Sequence, residues 1–241
     1  MYISKNKKEY GLTLLEASIW FLILSVFLLG AFYLVHHIQG QRFVETIVDK
    51  NIRASSLRPF QLKGNSNLTI NEEALNSYLV TLANTINIEI NKEYNIKANR
   101  FIEVAYAIIP INTETGRAVS FGEIKSRQQI GSSNFISNEL FQKTDLTHII
   151  QSYVKGLTTS QDPFLYAIPL SVKKSVLDDL SASAGVAMNE KRYAPQAVFI
   201  LARTFLSTEN QSIKNFIYKK FNIESVYKAV KIVNLRGEYG L

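Results

Sequence analysis

From Ala17 to Val35 the chain carries no charged residue. As a helix this stretch rises about 28 Å, close to the roughly 30 Å hydrocarbon core of a bilayer. It is too long and too uniformly apolar for the core helix of a small globular domain. It also exceeds the usual 7–15 apolar residues of a secretory signal peptide, and His36-His37-Ile38-Gln39 follows it instead of a small-x-small cleavage site. Lys5, Lys7 and Lys8 stand before the run. Cations flanking a span stay on the cytoplasmic side, so the N-terminus is expected there and the bulk of the chain across the membrane.

Glu16 sits at the start of this run, next to Ala17. A carboxylate beside hydrocarbon is costly, and the simplest account is an interfacial side chain reaching for water. The spacing gives a sharper one. If the chain were cut after Gly11, Leu12 would bear a free ammonium, and Glu16 would lie one turn along at i+4, where helical side chains meet. An acid in a first turn also meets the positive end of the helix dipole. The ammonium of a neighbouring subunit is a second possible partner.

The order Lys7-Lys8-Glu9-Tyr10-Gly11, then Leu12-Thr13-Leu14-Leu15-Glu16, then an apolar helix, resembles the class III signal of type IV pilins and pseudopilins. The resemblance covers about the first 55 residues. It implies that an inner-membrane prepilin peptidase removes residues 1–11, with Gly11 the last leader residue. It further implies that Leu12 becomes the N-methylated N-terminus and that Glu16 is the assembly carboxylate. The family more often has Phe or Met where Leu12 stands, and Tyr33 lies near the point where many members have a helix-kinking proline. The implied partners are other pilin or pseudopilin subunits, the peptidase and inner-membrane lipid. The implied setting is a type IV pilus or a related secretion or adhesion machine, in which this chain is expected to be a minor pilin or a tight-adherence pseudopilin. The alternative is a single-pass anchored binding module that is neither cleaved nor built into a filament.

Beyond the run, Ile38, Phe43, Val44, Ile47, Val48 and Ile52 fall roughly on one helical face. Pro59 disfavours helix at Arg58, which predicts one long helix from Leu12 to Leu57 with Gly40 its softest point. Residues 58–241 are expected to form one α+β head. In it, Gln61 to Thr69 reads as a loop around Gly64-Asn65-Ser66-Asn67. Asn71 with Glu72 and Glu73 starts a helix whose buried stripe is Leu75, Tyr78, Leu79, Leu82, Ala83 and Ile86, and Ile88-Glu89-Ile90 reads as the start of a strand. Phe101 to Ile111, with Glu103 its only charge, is the best central strand. Thr113 to Arg117 reads as its turn and Ala118 to Ile124 as its hairpin partner. Lys125 to Thr147 reads as a polar surface excursion, Leu146 to Val154 as a short helix, and Phe164 to Leu170 as a strand. Ser175 to Leu180 reads as helical. Pro195 to Leu206 is a second strong apolar run, Ile213, Phe216, Ile217 and Phe221 share a helical face, and Val226 to Leu235 suits a final strand.

Composition narrows the chemistry. With no cysteine among 241 residues, thiol catalysis, Cys-ligated zinc and iron–sulfur clusters are excluded, and so is a disulfide-closed loop. The net charge of +7 lies mostly in the head, but the basic residues are scattered, with Lys173-Lys174 and Lys219-Lys220 as isolated pairs. They form no aromatic-interleaved groove for nucleic acid, so a solvated surface is expected. His36 and His37 are placed to anchor the interface. His148 with Asp145 is a thin metal set, and Asp178-Asp179 reads as a solvated helix face. No phosphate loop, nucleophile elbow or zinc-protease motif occurs. No enzyme, cofactor, metal or small-molecule substrate is expected.

Overall fold

Two strands buried on both faces organise the head: β3 (Asn99–Pro110) and β5 (Gln196–Ser207). They pair antiparallel along their full length, from Asn99↔Ser207 to Pro110↔Gln196. In this computed structural model the described residues are 6–54, 60–63, 67–94, 98–112, 117–159, 196–207 and 226–235. The architecture is α+β: a long N-terminal helix, then a head with helices and a four-stranded antiparallel sheet. The chain divides into one unit of residues 1–43 and 210–225 and a second of residues 44–209 and 226–241.

The first unit contains the apolar part of helix α1 (Asn6–Arg53). This helix runs without interruption through Gly11, Gly30 and Gly40, so the expected soft point at Gly40 does not break it. Its hydrogen-bonded end is Arg53, and Leu57, where the sequence places the end, lies outside the described residues.

In the second unit, the last turns of α1 bury Val44, Ile47, Val48 and Ile52, four of the expected amphipathic face. They meet α2 (Glu72–Tyr94). The Tyr78 hydroxyl donates to the Ile52 carbonyl at 3.4 Å, and Asn51 Nδ2 donates to Glu89 at 3.1 Å. Helix α2 begins where expected: the Ala74 amide donates to Asn71 Oδ1 at 3.1 Å, capping an orphan N–H, and Glu72 and Glu73 fill the first turn. Its buried stripe is Leu75, Leu79, Leu82, Ala83, Ile86 and Ile90. Ile88-Glu89-Ile90 belongs to this helix, correcting the strand reading. Ile90 continues the buried stripe at i+4 from Ile86, whereas Ile88 is exposed, so helical packing wins over the local alternation. Leu79 is 1% exposed, and Leu79→Ala is expected to destabilise the head by about 2–5 kcal/mol. Loss of the tyrosine near-UV circular dichroism in denaturant reads this out. The single tryptophan, Trp20, lies in α1 and does not report on the head.

The sheet order is β4-β3-β5-β6, with β4 (Glu123–Gly131) and β6 (Tyr227–Leu235) at the edges. The central-strand and final-strand readings are borne out, and the second apolar run, read without an assigned element, forms β5. The surface excursion from Lys125 is overturned, since most of β4 lies within it. The partner expected at Ala118–Ile124 is displaced: only the Ile111↔Ala118 bridge and the last two residues pair there. The register slips between Tyr106↔Ser126 and Ala107↔Ile124, leaving Lys125 as a bulge residue. The slip turns Ile124 towards the opposite face from Ile130, so a strand with only two isoleucines contributes one to each side of the sheet. Residues 61–69 are corrected likewise, because β1 (Phe60–Lys63) and β2 (Asn67–Ile70) pair as a hairpin.

Helix α2 lies against β3 and β4. The other face is covered by α3 (Asn138–Lys143), capped by Ser137, and α4 (Leu146–Thr159). Here Leu146, Ile150 and Val154 join Ala105, Ala107, Ile109, Phe199 and Leu201, while Leu140 and Ile136 join Phe101 and Phe205. The short helix expected at Leu146–Val154 is thus present and one turn longer. The expectations at Phe164–Leu170, Ser175–Leu180 and Ile213–Phe221 lie outside the described residues.

Candidate functional site on the apolar helix

The surface of α1 from Ala17 to Val35 carries no charge and is apolar nearly all round. Leu14, Trp20, Phe21, Phe27 and Phe32 are each exposed by 68–72%. Such a surface costs tens of hydrated apolar side chains in water and costs nothing in hydrocarbon or against other helices. The helix is long and apolar enough to cross a membrane. Two of its serines are satisfied within the helix: Ser18 Oγ donates to the Leu14 carbonyl at 2.8 Å and Ser25 Oγ to the Phe21 carbonyl at 2.7 Å. These serines, with Leu14, Ala17, Phe21 and Leu22, line a shallow groove where small side chains lower the helix surface.

Glu16 is exposed on this surface. Among the described residues no hydrogen-bond or ion-pair partner reaches it. Gly11 and Leu12 lie in the same continuous helix, with Leu12 one turn before Glu16. The three sequence-predicted residues therefore share one end of one helix.

A second constellation escaped the sequence reading. Glu103 on β3 is fully buried and lies opposite Arg203 on β5, itself 2% exposed. Arg203 Nε donates to Glu103 Oε2, and its Nη1 donates to the Phe141 carbonyl of α3 at 2.8 Å. The guanidinium lies over the Phe141 ring, 4.1 Å from its centroid, with Phe101 beyond. The other Glu103 oxygen accepts from Gln129, its cross-strand neighbour on β4, at 2.7 Å and from Arg127 at 3.2 Å. Arg127 continues outwards to Thr147 at 2.7 Å and to Asp145 at 3.5 Å. Two anions and two cations are thus laid in rows across three strands and onto the α3–α4 junction. The only sequence signal was one charge of opposite sign inside each of two apolar runs.

Partial burial pushes the Asp145 carboxyl up, but the Thr147 hydrogen bond and the Arg127 and Arg203 charges outweigh it, so its pKa ends below the ordinary carboxylate value. The stabilisation linked to this shift is present above the unfolded pKa and is lost as pH falls through the lowered one. Asp145 is turned to Arg127, while His148 is exposed, and among the described residues no three His, Asp or Glu side chains gather to hold a metal. The Glu103 network is closed by protein donors and offers no open position for a reacting group. It holds α3 and α4 on the sheet.

Comparison of the chain with protein-family models, with curated proteins and with solved structures found no match.

Proposed function

We propose that this chain is a pilin-like structural subunit, a minor pilin or pseudopilin. It is processed after Gly11, methylated at Leu12 and joined to other subunits through α1. The observation that carries this reading is Glu16: an exposed carboxylate without a partner among the described residues, at the start of the charge-free stretch Ala17–Val35 and one turn after Leu12. A lone membrane anchor has no use for such a group, whereas a bundle of identical helices, each beginning with an ammonium, supplies its counter-charge at every subunit. Lys5, Lys7 and Lys8 support a cytoplasmic leader with the head outside the inner membrane. The apolar surface serves first as the membrane span and then as the filament contact. The role is structural, without catalysis or a cofactor.

Processing is tested on protein isolated from cells with an active prepilin peptidase. Mass spectrometry is expected to find an N-terminal peptide beginning at Leu12 and one methyl group heavier than the bare sequence. Gly11→Val is expected to block the cut, because the peptidase grips backbone where the new side chain would intrude. A mature protein retaining residues 1–11 overturns the reading in favour of a permanent anchor.

A further inference from the structure

A cleft of about 580 Å³ opens where β3 starts and β4 ends, lined by Ala98, Asn99, Arg100, Ile130, Gly131, Ser132, Asn134 and Phe135. That volume lies within the range that encloses a small molecule. Its construction depends on Gly131, whose φ of +88° is a left-handed conformation that side chains disfavour. A Cβ there would stand 2.0 Å from the Arg100 carbonyl oxygen, so only glycine lets the chain turn this closely over β3. The turn is fastened by the Ser132 amide donating to the Arg100 carbonyl at 3.2 Å, and Ser132 Oγ accepts from the Asn134 amide at 3.4 Å.

The Arg100 backbone thus holds the wall of the cleft, while its side chain is left over. The residue is half-buried, and among the described residues its guanidinium has no hydrogen-bond or ion-pair partner. This contrasts with Arg203 and Arg127, each of which donates to two partners. A guanidinium carries five donors in a planar fork matched to a carboxylate or phosphate, and partial burial removes water without replacing it. Among the described residues no acidic side chain lines the cleft. Around it stand the exposed polar side chains of Asn99, Ser132 and Asn134, and half-buried Phe135 and Ile130 supply an apolar wall. One fixed cation, a rim of hydrogen-bonding groups and an aromatic wall fit a compact polar ring bearing one anionic group.

We propose that this cleft binds an anionic sugar, with Arg100 taking the carboxylate or phosphate and Asn99, Ser132 and Asn134 taking ring hydroxyls. The site lies wholly in the head and does not depend on processing or filament assembly. The test titrates the full chain in detergent micelles with sodium glucuronate, glucose 6-phosphate and glucose, using ligand-observed saturation-transfer NMR. Both anionic sugars are expected to bind saturably, and the tighter one identifies the anion as carboxylate or phosphate. Glucose is expected to bind at least about tenfold more weakly, and raising the ionic strength to weaken the anionic sugars selectively. Arg100→Gln is expected to reduce their affinity about tenfold or more, and Arg100→Lys to restore part of it. Asn134→Ala, on an exposed loop, is expected to weaken binding with an unchanged tyrosine near-UV spectrum. The assignment is overturned if neither anionic sugar binds saturably, if glucose binds as well as they do, or if folded Arg100→Gln binds them like the parent.

Discussion

Glu103→Ala is expected to destabilise the head by about 3–5 kcal/mol, the range for removing one partner of a buried ion pair. The loss is not the worth of the pair itself. It arises because Arg203, 2% exposed and sandwiched against Phe141, is left as a buried cation without its counter-charge, and because Gln129 and Arg127 lose their acceptor as well. Arg203→Ala is expected to fall in the same range, since Glu103 is then the stranded group. The double replacement Glu103→Leu with Arg203→Met removes both charges at similar volume and is expected to recover most of the loss. Guanidinium unfolding of the full chain in detergent, followed by tyrosine near-UV circular dichroism, distinguishes these outcomes. A Glu103→Ala protein with the parent's midpoint would show that the four charges are not coupled as described.

Glu16→Ala is expected to abolish incorporation into filaments or pilus-base complexes while leaving membrane insertion and the cut after Gly11 intact. Insertion survives because losing a carboxylate makes the segment more apolar, and cleavage survives because the cut lies a full turn earlier. Incorporation fails because the incoming ammonium finds no counter-charge in a helix core where the dielectric is low and an unmet charge is expensive. Glu16→Gln keeps the shape and the hydrogen-bonding capacity but not the charge, and is expected to fail nearly as badly. The measurement is the amount of protein in sheared filaments, or crosslinked to pilin partners, relative to the amount retained in the membrane. Equal incorporation of Glu16→Ala and the parent would leave α1 as a simple anchor.

The elements legible in the sequence were those whose own residues carry the apolar period. Helix α2 announced itself through Asn71, the paired acids and the stripe from Leu75 to Ile86, and β3, β5 and β6 through their β-formers. Strand β4 was not legible, because Glu-Ile-Lys-Ser-Arg-Gln-Gln-Ile-Gly has only two apolar side chains and a bulge between them. What makes it a strand is the unsatisfied edge of β3 beside it, which no local pattern reports. Polar side chains and a bulge are also how an edge strand avoids pairing with other molecules, so the features that protect it hide it. The Ile88-Glu89-Ile90 misreading has the opposite cause, a three-residue alternation too short to outweigh the helical stripe around it. In the candidate site, the helical spacing of Gly11, Leu12 and Glu16 was legible because it is local to one helix. The Glu103–Arg203 pair was not, because the two lie 100 residues apart and only the β3–β5 register makes them neighbours. The Arg100 cleft depends likewise on Gly131 closing over a strand that precedes it by some thirty positions.

The β3–β5 register also sets an order of events during synthesis. The central pair of the sheet joins residues separated by about a hundred positions, so the head's core cannot close until Gln196–Ser207 has been made. By then α1, which precedes the sheet in the chain, has long been complete, and a local helix forms far faster than a distant strand pairing. If α1 spans the membrane as proposed, the anchor is therefore seated while the β5-facing edge of β3 is still unpaired. Tethering at one end shortens the search for its distant partner and keeps that exposed strand apart from those of other chains.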